Sequence, residues 1–586
     1  MTRTIRKDLC CFQLLLAILL GLTQPVWAGS QIGSQEDPSV IRYKFLVIDD
    51  QPLLESHNLR RKVNQAVKRK EPVMRLDAPW ETDKDQLNYT CILYDEEEKL
   101  FKMWYTLMRW QGNTSDGPRG VAYATSKDGL DWEKPVLGLI EVDGSRENNM
   151  VIGFKRNFTY TIIKDRSDIA ARRYKMIFST YAEEALWAGH HSSLNLAYSH
   201  DGLHWERPRH VNPVLRGISD DNCTLFYDED RRKYVLTTRR VPNTPRDISQ
   251  YESYDLVNWE DKGRVLVAGD ELDPPELYNI YDMPVFRYEG FFLGMINPYY
   301  VHPFAPTYGA YHKPPDYPKG KVGQLEISLA YSRDGQKWHR PDDRSPVVPI
   351  GKPGDQDGGV IFPCENPIVR DGETWIYYTG NFISHTWWDW LSYDFSKGTR
   401  DLAVLMLARM PEDHWVSLDA GGDEGWVMTK PWGPPNEIFV NADAEGGSVE
   451  AELVTPYGEV IQGFSRADSI SLRVDGTEQK LSWKGGRSPY DLSVEQYGGV
   501  CLKLYLTRAK LYSYTFTLPD PDGELARNKA NARWLEVIKH RSDQWGVHST
   551  EPATGVPPFS RHQYNPATGR EDFGEQMKKS IRERSR

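Results

Sequence analysis

The sequence predicts an all-β protein: a five-bladed β-propeller followed by a C-terminal β-sandwich. Three observations predict it. A turn motif, Ser-x-Asp-Gly-x-x-Trp, recurs along the chain. Each copy is preceded by a strand, an acidic turn and a second strand rich in aromatics. Residues 76–412 show hardly any helical periodicity, while alternation with period two runs through nearly all of these strand units.

The turns read SKDGLDWEKP from Ser126, SHDGLHWERP from Ser199, SYDLVNWED from Ser253 and SRDGQKWHRP from Ser332. A degenerate fifth copy, ARMPEDHW, runs from Ala408 to Trp415. Their starts lie 73, 54, 79 and 76 residues apart, too far for a helical hairpin and suited to a four-stranded blade with loops. Asp-Gly makes a tight turn, and the Trp that follows can pack back beneath it. The preceding units are CILYDEEEKLFKMWYTL from Cys91, TLFYDEDRRKYVLTTR from Thr224, MPVFRYEGFFLGMI from Met283 and NPIVRDGETWIYYTG from Asn366. A weaker unit runs from NNMVIGF through YKMIFSTY. That makes five. One blade cannot bury both of its faces; a ring of five can, and it also hides the sheet edges. The acidic runs from Tyr94 and Tyr227 fall at hairpin tips and read as solvated turns.

After Trp415 the texture changes to short alternating strands separated by Gly, Asp and Pro, which places a β-sandwich over residues 413–518. Residues 519–586 are charged and Pro-containing, with a helical stretch around Glu524 to His540, and read as a partly helical or disordered tail. Residues 29–75 hold an apolar strand, Lys44 to Asp50, that completes either the last blade or the sandwich. Residues 1–28 read as an export signal: Arg3, Arg6 and Lys7, an apolar run from Leu14 to Leu20, and Ala28 as a small exit residue. That run is far shorter than the ~20 residues of a membrane span. A secreted or periplasmic protein is expected, without a membrane span, as a monomer or small oligomer. The net charge of −11 argues against a general nucleic-acid partner. Cys91, Cys223, Cys364 and Cys501 lie far apart without CxxC pairs, so they indicate packed thiols rather than a zinc site.

The repeat turns, the strand–acidic-turn–strand units and Pro79-Trp80-Glu81 resemble the five-bladed propeller glycosidases, the superfamily that groups glycoside hydrolase families 32, 43, 62, 68 and 130. The likeness covers about Lys44 to Phe516. It is closest to bacterial proteins described as family 32 amino-terminal-like with a C-terminal sandwich. It implies a carbohydrate substrate and acidic side chains at the axial ends of the innermost strands. One carboxylic acid protonates the departing oxygen, and a second carboxylate activates water or attacks the sugar. Converging carboxylates split their pKa values.

By this resemblance Glu365, directly before a strand, is the candidate acid. Asp221 is the candidate orienting aspartate, with Asp220 beside it, and Asp282 holds the analogous place in the fourth unit. Blade one has Asn88 where the superfamily commonly has an aspartate. Among the nearby carboxylates Asp77, Glu81, Asp83 and Asp85, Glu81 is the candidate base, with Trp80 as a platform for a sugar ring. Arg239 can grip a carboxylate or hydroxyl, Asp357 precedes the fifth unit's strand, and His385 with Trp387 follows it. In related propellers a histidine near that point faces the axial channel, at times beside a calcium. A structural calcium is therefore allowed, and no cofactor is required.

Hydrolysis leads among the readings. A non-catalytic carbohydrate-binding propeller is the alternative that Asn88 suggests. A glycoside phosphorylase would need clustered cations, for which Arg239 and Arg240 are the inner-strand candidates. A sialidase is disfavoured, because it would carry six blades and an arginine trio.

Overall fold

Strand order follows the five units of the sequence. The computed structural model describes residues 39–109, 119–154, 159–181, 192–240, 246–274, 277–300, 323–385 and 393–520. The expected export signal and the tail beyond Asp520 lie outside the described residues. Among the described residues, no helix is long and apolar enough to cross a membrane.

Blade one is a four-stranded antiparallel sheet, Asp85–Asp95, Leu100–Arg109, Arg119–Ser126 and Met150–Phe154. Blade two comprises Tyr160–Lys164, Tyr174–Tyr181 and Ser192–Ser199. Blade three comprises Leu215–Asp228, Lys233–Arg240, Ile248–Ser253 and Glu260–Leu266. These two are joined as one seven-stranded sheet, because a single strand serves both. The start of Leu215–Asp228 pairs with blade two (Leu194 opposite Leu215). After an irregularity between Ile218 and Cys223 it becomes the innermost strand of blade three (Cys223 opposite Thr238). Blade four holds Val285–Tyr288, Phe291–Ile296 and Ser328–Ser332. Blade five holds Val360–Pro363 and Ile368–Arg370 against Glu373–Asn381, then Ala403–Pro411. Its outermost strand comes from the other end of the sequence: Val67–Lys68 pairs with Ala403–Pro411.

Five buried apolar clusters fill the gaps between successive blades and close the ring. Trp104 and Tyr123 meet Ile162 and Phe178 between blades one and two. Ile177 and Leu196 meet Leu225 and Leu236 between two and three, and Phe226 and Val235 meet Val285 and Phe292 between three and four. Leu293 and Ile327 meet Ile361 and Ile376 between four and five. The last cluster, Ile368, Trp375 and Tyr377 with Leu87 and Phe101, joins five back to one.

Two of the recurring turns act as latches between blades. In each of the four, the Ser hydroxyl accepts the N–H of the residue three on (Gly129, Gly202, Leu256, Gly335), and the Asp carboxylate accepts two further backbone N–H groups. The fourth position sits at φ between 65° and 81°, the left-handed region that favours glycine. The Trp104 indole N–H of blade one donates to the Gly202 carbonyl at 2.7 Å. The Tyr377 hydroxyl of blade five donates to the Gly129 carbonyl at 2.8 Å.

The N-terminal segment joins both bodies rather than one. Val40–Leu46, Leu53–His57 and Arg60–Val63 enter the two sandwich sheets, while Val67–Lys68 enters blade five. The sandwich core gathers Val440, Leu453, Trp483, Leu504 and Phe516. Its strand Cys501–Thr507 shows the alternation that a two-sheet stack demands, with Leu502, Leu504 and Leu506 inward. Where propeller meets sandwich, Lys44 contacts Glu289 at 3.4 Å, Glu412 at 2.8 Å and Asp413 at 3.2 Å.

Candidate active site

Glu365 is where the blades converge. It forms a parallel bridge with Cys91 on the innermost strand of blade one. Its Oε2 accepts the Thr161 hydroxyl of blade two at 2.7 Å and faces the Cys91 Sγ at 3.6 Å. Thr161 itself accepts the N–H of Leu225, on blade three, at 2.9 Å. The fourth blade acts through the charge of Asp282. Burial, with the field of Asp282, pushes the Glu365 carboxyl well above the usual range, against the hydrogen bonds from Thr161 and Cys91 and the nearby Ile162 N–H. The neighbouring thiols are also pushed up. Burial dominates for Cys91, Cys223 and Cys364, and the charge of Glu365 adds to it.

Asp282 is held in place from blade three. The Thr224 and Thr237 hydroxyls both donate to the Met283 carbonyl, at 3.2 and 3.0 Å. The Asp282 carboxylate accepts its neighbour's N–H (Met283, 2.8 Å), and its carbonyl accepts the Asn297 N–H at 3.0 Å. Unlike Glu365 it is only half-buried. Beside it stands Tyr281, with the Arg239 guanidinium over its ring at 4.6 Å and that of Arg246 at 5.6 Å. The Tyr281 hydroxyl meets the His385 Nε2 at 3.1 Å, and the His385 ring stacks on Tyr299. Phe362 lies 5.6 Å from Tyr281 and 6.1 Å from Tyr89, centroid to centroid, which links the inner edges of blades four, five and one.

Glu365, Asp282, Arg239 and His385 thus belong to one connected axial group. Asp221 lies on the bulged strand Leu215–Asp228, but its side chain is outside the described residues, as is that of Asp220. Trp387 is outside them as well.

Three expected residues do not join the axial group. The Glu81 side chain is wholly buried. Its Oε2 accepts the N–H groups of Asp77 and Ala78 and the Lys134 ammonium, at 2.7, 2.8 and 2.6 Å, and its Oε1 accepts the Tyr105 hydroxyl at 2.8 Å. Trp80 belongs to the same network, donating from Nε1 to Asn149, whose amide donates to Tyr105. Both anchor the entry to blade one against its second and outer strands. A carboxylate so engaged and wholly buried is out of reach of a sugar. Asp357 pairs with Lys68 at 2.7 Å and accepts the Tyr378 hydroxyl at 2.9 Å. It therefore fixes the closing strand of the ring. The half-buried aromatic pair Tyr89 and Phe362 occupies the inner strands instead of Trp80. The position of Tyr89, beside Asn88 at the entrance to blade one, is the signal that could have found it.

No protein-family model matches this chain, and no curated protein matches it. Similar solved structures include carbohydrate enzymes. A thermostable family-43 glycoside hydrolase aligns at 15% identity and TM-score 0.36, covering 57% of this chain and 93% of its own. The fructofuranosidase of Schwanniomyces occidentalis, complexed with fructose, aligns at 11% identity and TM-score 0.36, covering 76% and 97%. An N-acetylgalactosamine deacetylase from F. plautii, in complex with blood group B trisaccharide, aligns at 14% and 0.39, covering 61% and 97%. Likeness at this level assigns this chain neither a residue role nor a substrate.

Proposed function

We propose that this chain is a secreted glycoside hydrolase whose axial hollow cuts a glycosidic bond, with Glu365 as proton donor and Asp282 as the charged second carboxylate. The observation that supports this is the state of Glu365, an acid that burial and a neighbouring charge keep protonated beyond the usual carboxylate range, where inner strands meet. A general acid must hold its proton until the leaving oxygen departs, and its partner must stay ionised. Thr161 and Cys91 both face Oε2, which leaves Oε1 to carry the proton. Tyr89 and Phe362 offer ring faces for a sugar, and Arg239 a fork for its oxygens. Asp221 remains the candidate orienting aspartate. The basic start and short apolar run of the first 28 residues support action outside the cytoplasm.

The test is Glu365→Gln assayed on oligosaccharides and on aryl glycosides with good leaving groups. Turnover of the oligosaccharide falls by about 10²–10⁴, while the aryl glycoside, which needs little protonation, loses far less. Equal loss on both substrates removes Glu365 from the acid role. A second reading, a carbohydrate-binding propeller without turnover, is favoured by Asn88 in blade one. It would show itself as saccharide affinity in a parent protein that turns over nothing on either panel.

A further inference from the structure

The four Ser-x-Asp turns share one backbone but not one chemistry. The residues flanking the aspartate are Lys127 and Asp131, Tyr254 and Asn258, or Arg333 and Lys337 in three of them. In the blade-two turn they are His200 and His204. The other turns form the same hydrogen bonds without imidazoles, so the fold does not call for the two histidines.

Within this turn the Asp201 Oδ1 is committed. It accepts the Ser199 hydroxyl, the Leu203 N–H and the His204 N–H, each at 2.9 Å. That leaves Oδ2 to face the two rings. The His204 Nδ1 lies 2.7 Å from it and the His200 Nε2 3.4 Å. The donor atoms of all three residues fall within 4.8 Å of one another. Both rings are more than half exposed, so they turn at little cost and metal reaches them directly.

We propose that this turn binds a late first-row divalent cation, zinc or copper, through His200 Nε2, Asp201 Oδ2 and His204 Nδ1. Two imidazole nitrogens and one carboxylate oxygen suit these ions, whereas magnesium and calcium prefer oxygen alone. Ligands at about 2.0–2.2 Å from a shared ion stand about 3.0–3.5 Å apart. Small rotations of the two exposed rings bring the present spacings into that range. Water completes the coordination.

Because the imidazoles are dispensable to the turn, their removal leaves a folded protein. The experiment is calorimetric titration of the untagged full chain with zinc chloride, alongside copper electron paramagnetic resonance. The parent binds one zinc at this turn. His200→Ala and His204→Ala each weaken it by about tenfold or more, the double variant abolishes it, and magnesium chloride gives no binding heat. Bound copper shows coupling to two imidazole nitrogens that the double variant loses. Zinc binding or a copper spectrum unchanged in the double variant overturns the assignment, as does a parent that binds no zinc at millimolar metal.

Discussion

Thr161 relays between blades: its hydroxyl accepts the Leu225 N–H at 2.9 Å and gives its own proton to Glu365 at 2.7 Å. With one lone pair already engaged, that proton is directed to the carboxyl. The bond favours the ionised form and moderates the upward pull of burial on Glu365.

Thr161→Val therefore raises the Glu365 pKa further. The basic limb of the rate–pH profile, which reports loss of the acid's proton, moves to higher pH. The Leu225 N–H also loses its acceptor, which costs about 1–3 kcal/mol in denaturant unfolding. A limb that moves toward acid contradicts the role given to Glu365.

The junction of propeller and sandwich is pH-dependent. Burial and the charges of Asp413 and Glu412 push the Glu289 carboxyl up to about 7, with Lys44 opposing. The folded protein keeps this proton where the unfolded chain, near 4.5, has released it. Folding thus takes up a proton, and stability falls as pH rises from about 4.5 to 7. Asp413 runs the other way. Burial opposes its ionisation, but Lys44 and the hydroxyls of Tyr288 and Ser513 hold it below its usual value, so its contribution is lost only in strong acid. Glu289→Gln gains on the order of 1–3 kcal/mol over the parent in alkaline solution and little or nothing in mild acid. Urea midpoints at both conditions check this, and an equal gain at both rules out titration of Glu289 as the cause.

Closure of the ring rests on Lys68 and Asp357. Lys68→Met leaves the buried Asp357 carboxylate with the Tyr378 hydroxyl, a loss of about 3–5 kcal/mol. Adding Asp357→Asn recovers part of it, because no uncompensated charge remains. Thermal melts of the two variants test this. A Lys68→Met variant as stable as the parent shows that the pair does not hold the ring shut.

The blade-two turn has no room for a side chain at Gly202. A Cβ on Gly202, at φ 81°, would lie 2.6 Å from Trp104 Cζ2, so Gly202→Ala combines backbone strain with overpacking, about 2–4 kcal/mol together. Gly144, at φ 80° with open space around it, is the control. Its alanine variant costs about 1–2 kcal/mol. Equal losses in chemical unfolding would mean that contact with the neighbouring blade contributes nothing.

The ring was legible because its parts are local. Strand alternation and the Ser-x-Asp turns are set by residues close in sequence, and the four turns share one hydrogen-bond pattern. Glu365 and Asp282 each stand before a strand in the sequence, and the fold brings the two within electrostatic reach. Glu81 and Asp357 were misjudged because the sequence displays an acid without its partner: Lys134 stands 53 residues from Glu81, and Lys68 stands 289 from Asp357. Cys91 was read only as a packed thiol for a geometric reason. The pairing of Asp85–Asp95 is irregular between Leu87 and Thr90, which resets which side chains face the axis.

The strand Leu215–Asp228, common to blades two and three, has a mechanical result. A strand common to two sheets ties blades two and three together at this seam. The gap there is fixed when the chain folds. If the proposed site opens for a saccharide, joints held by side-chain packing, such as that between blades three and four, take up the movement.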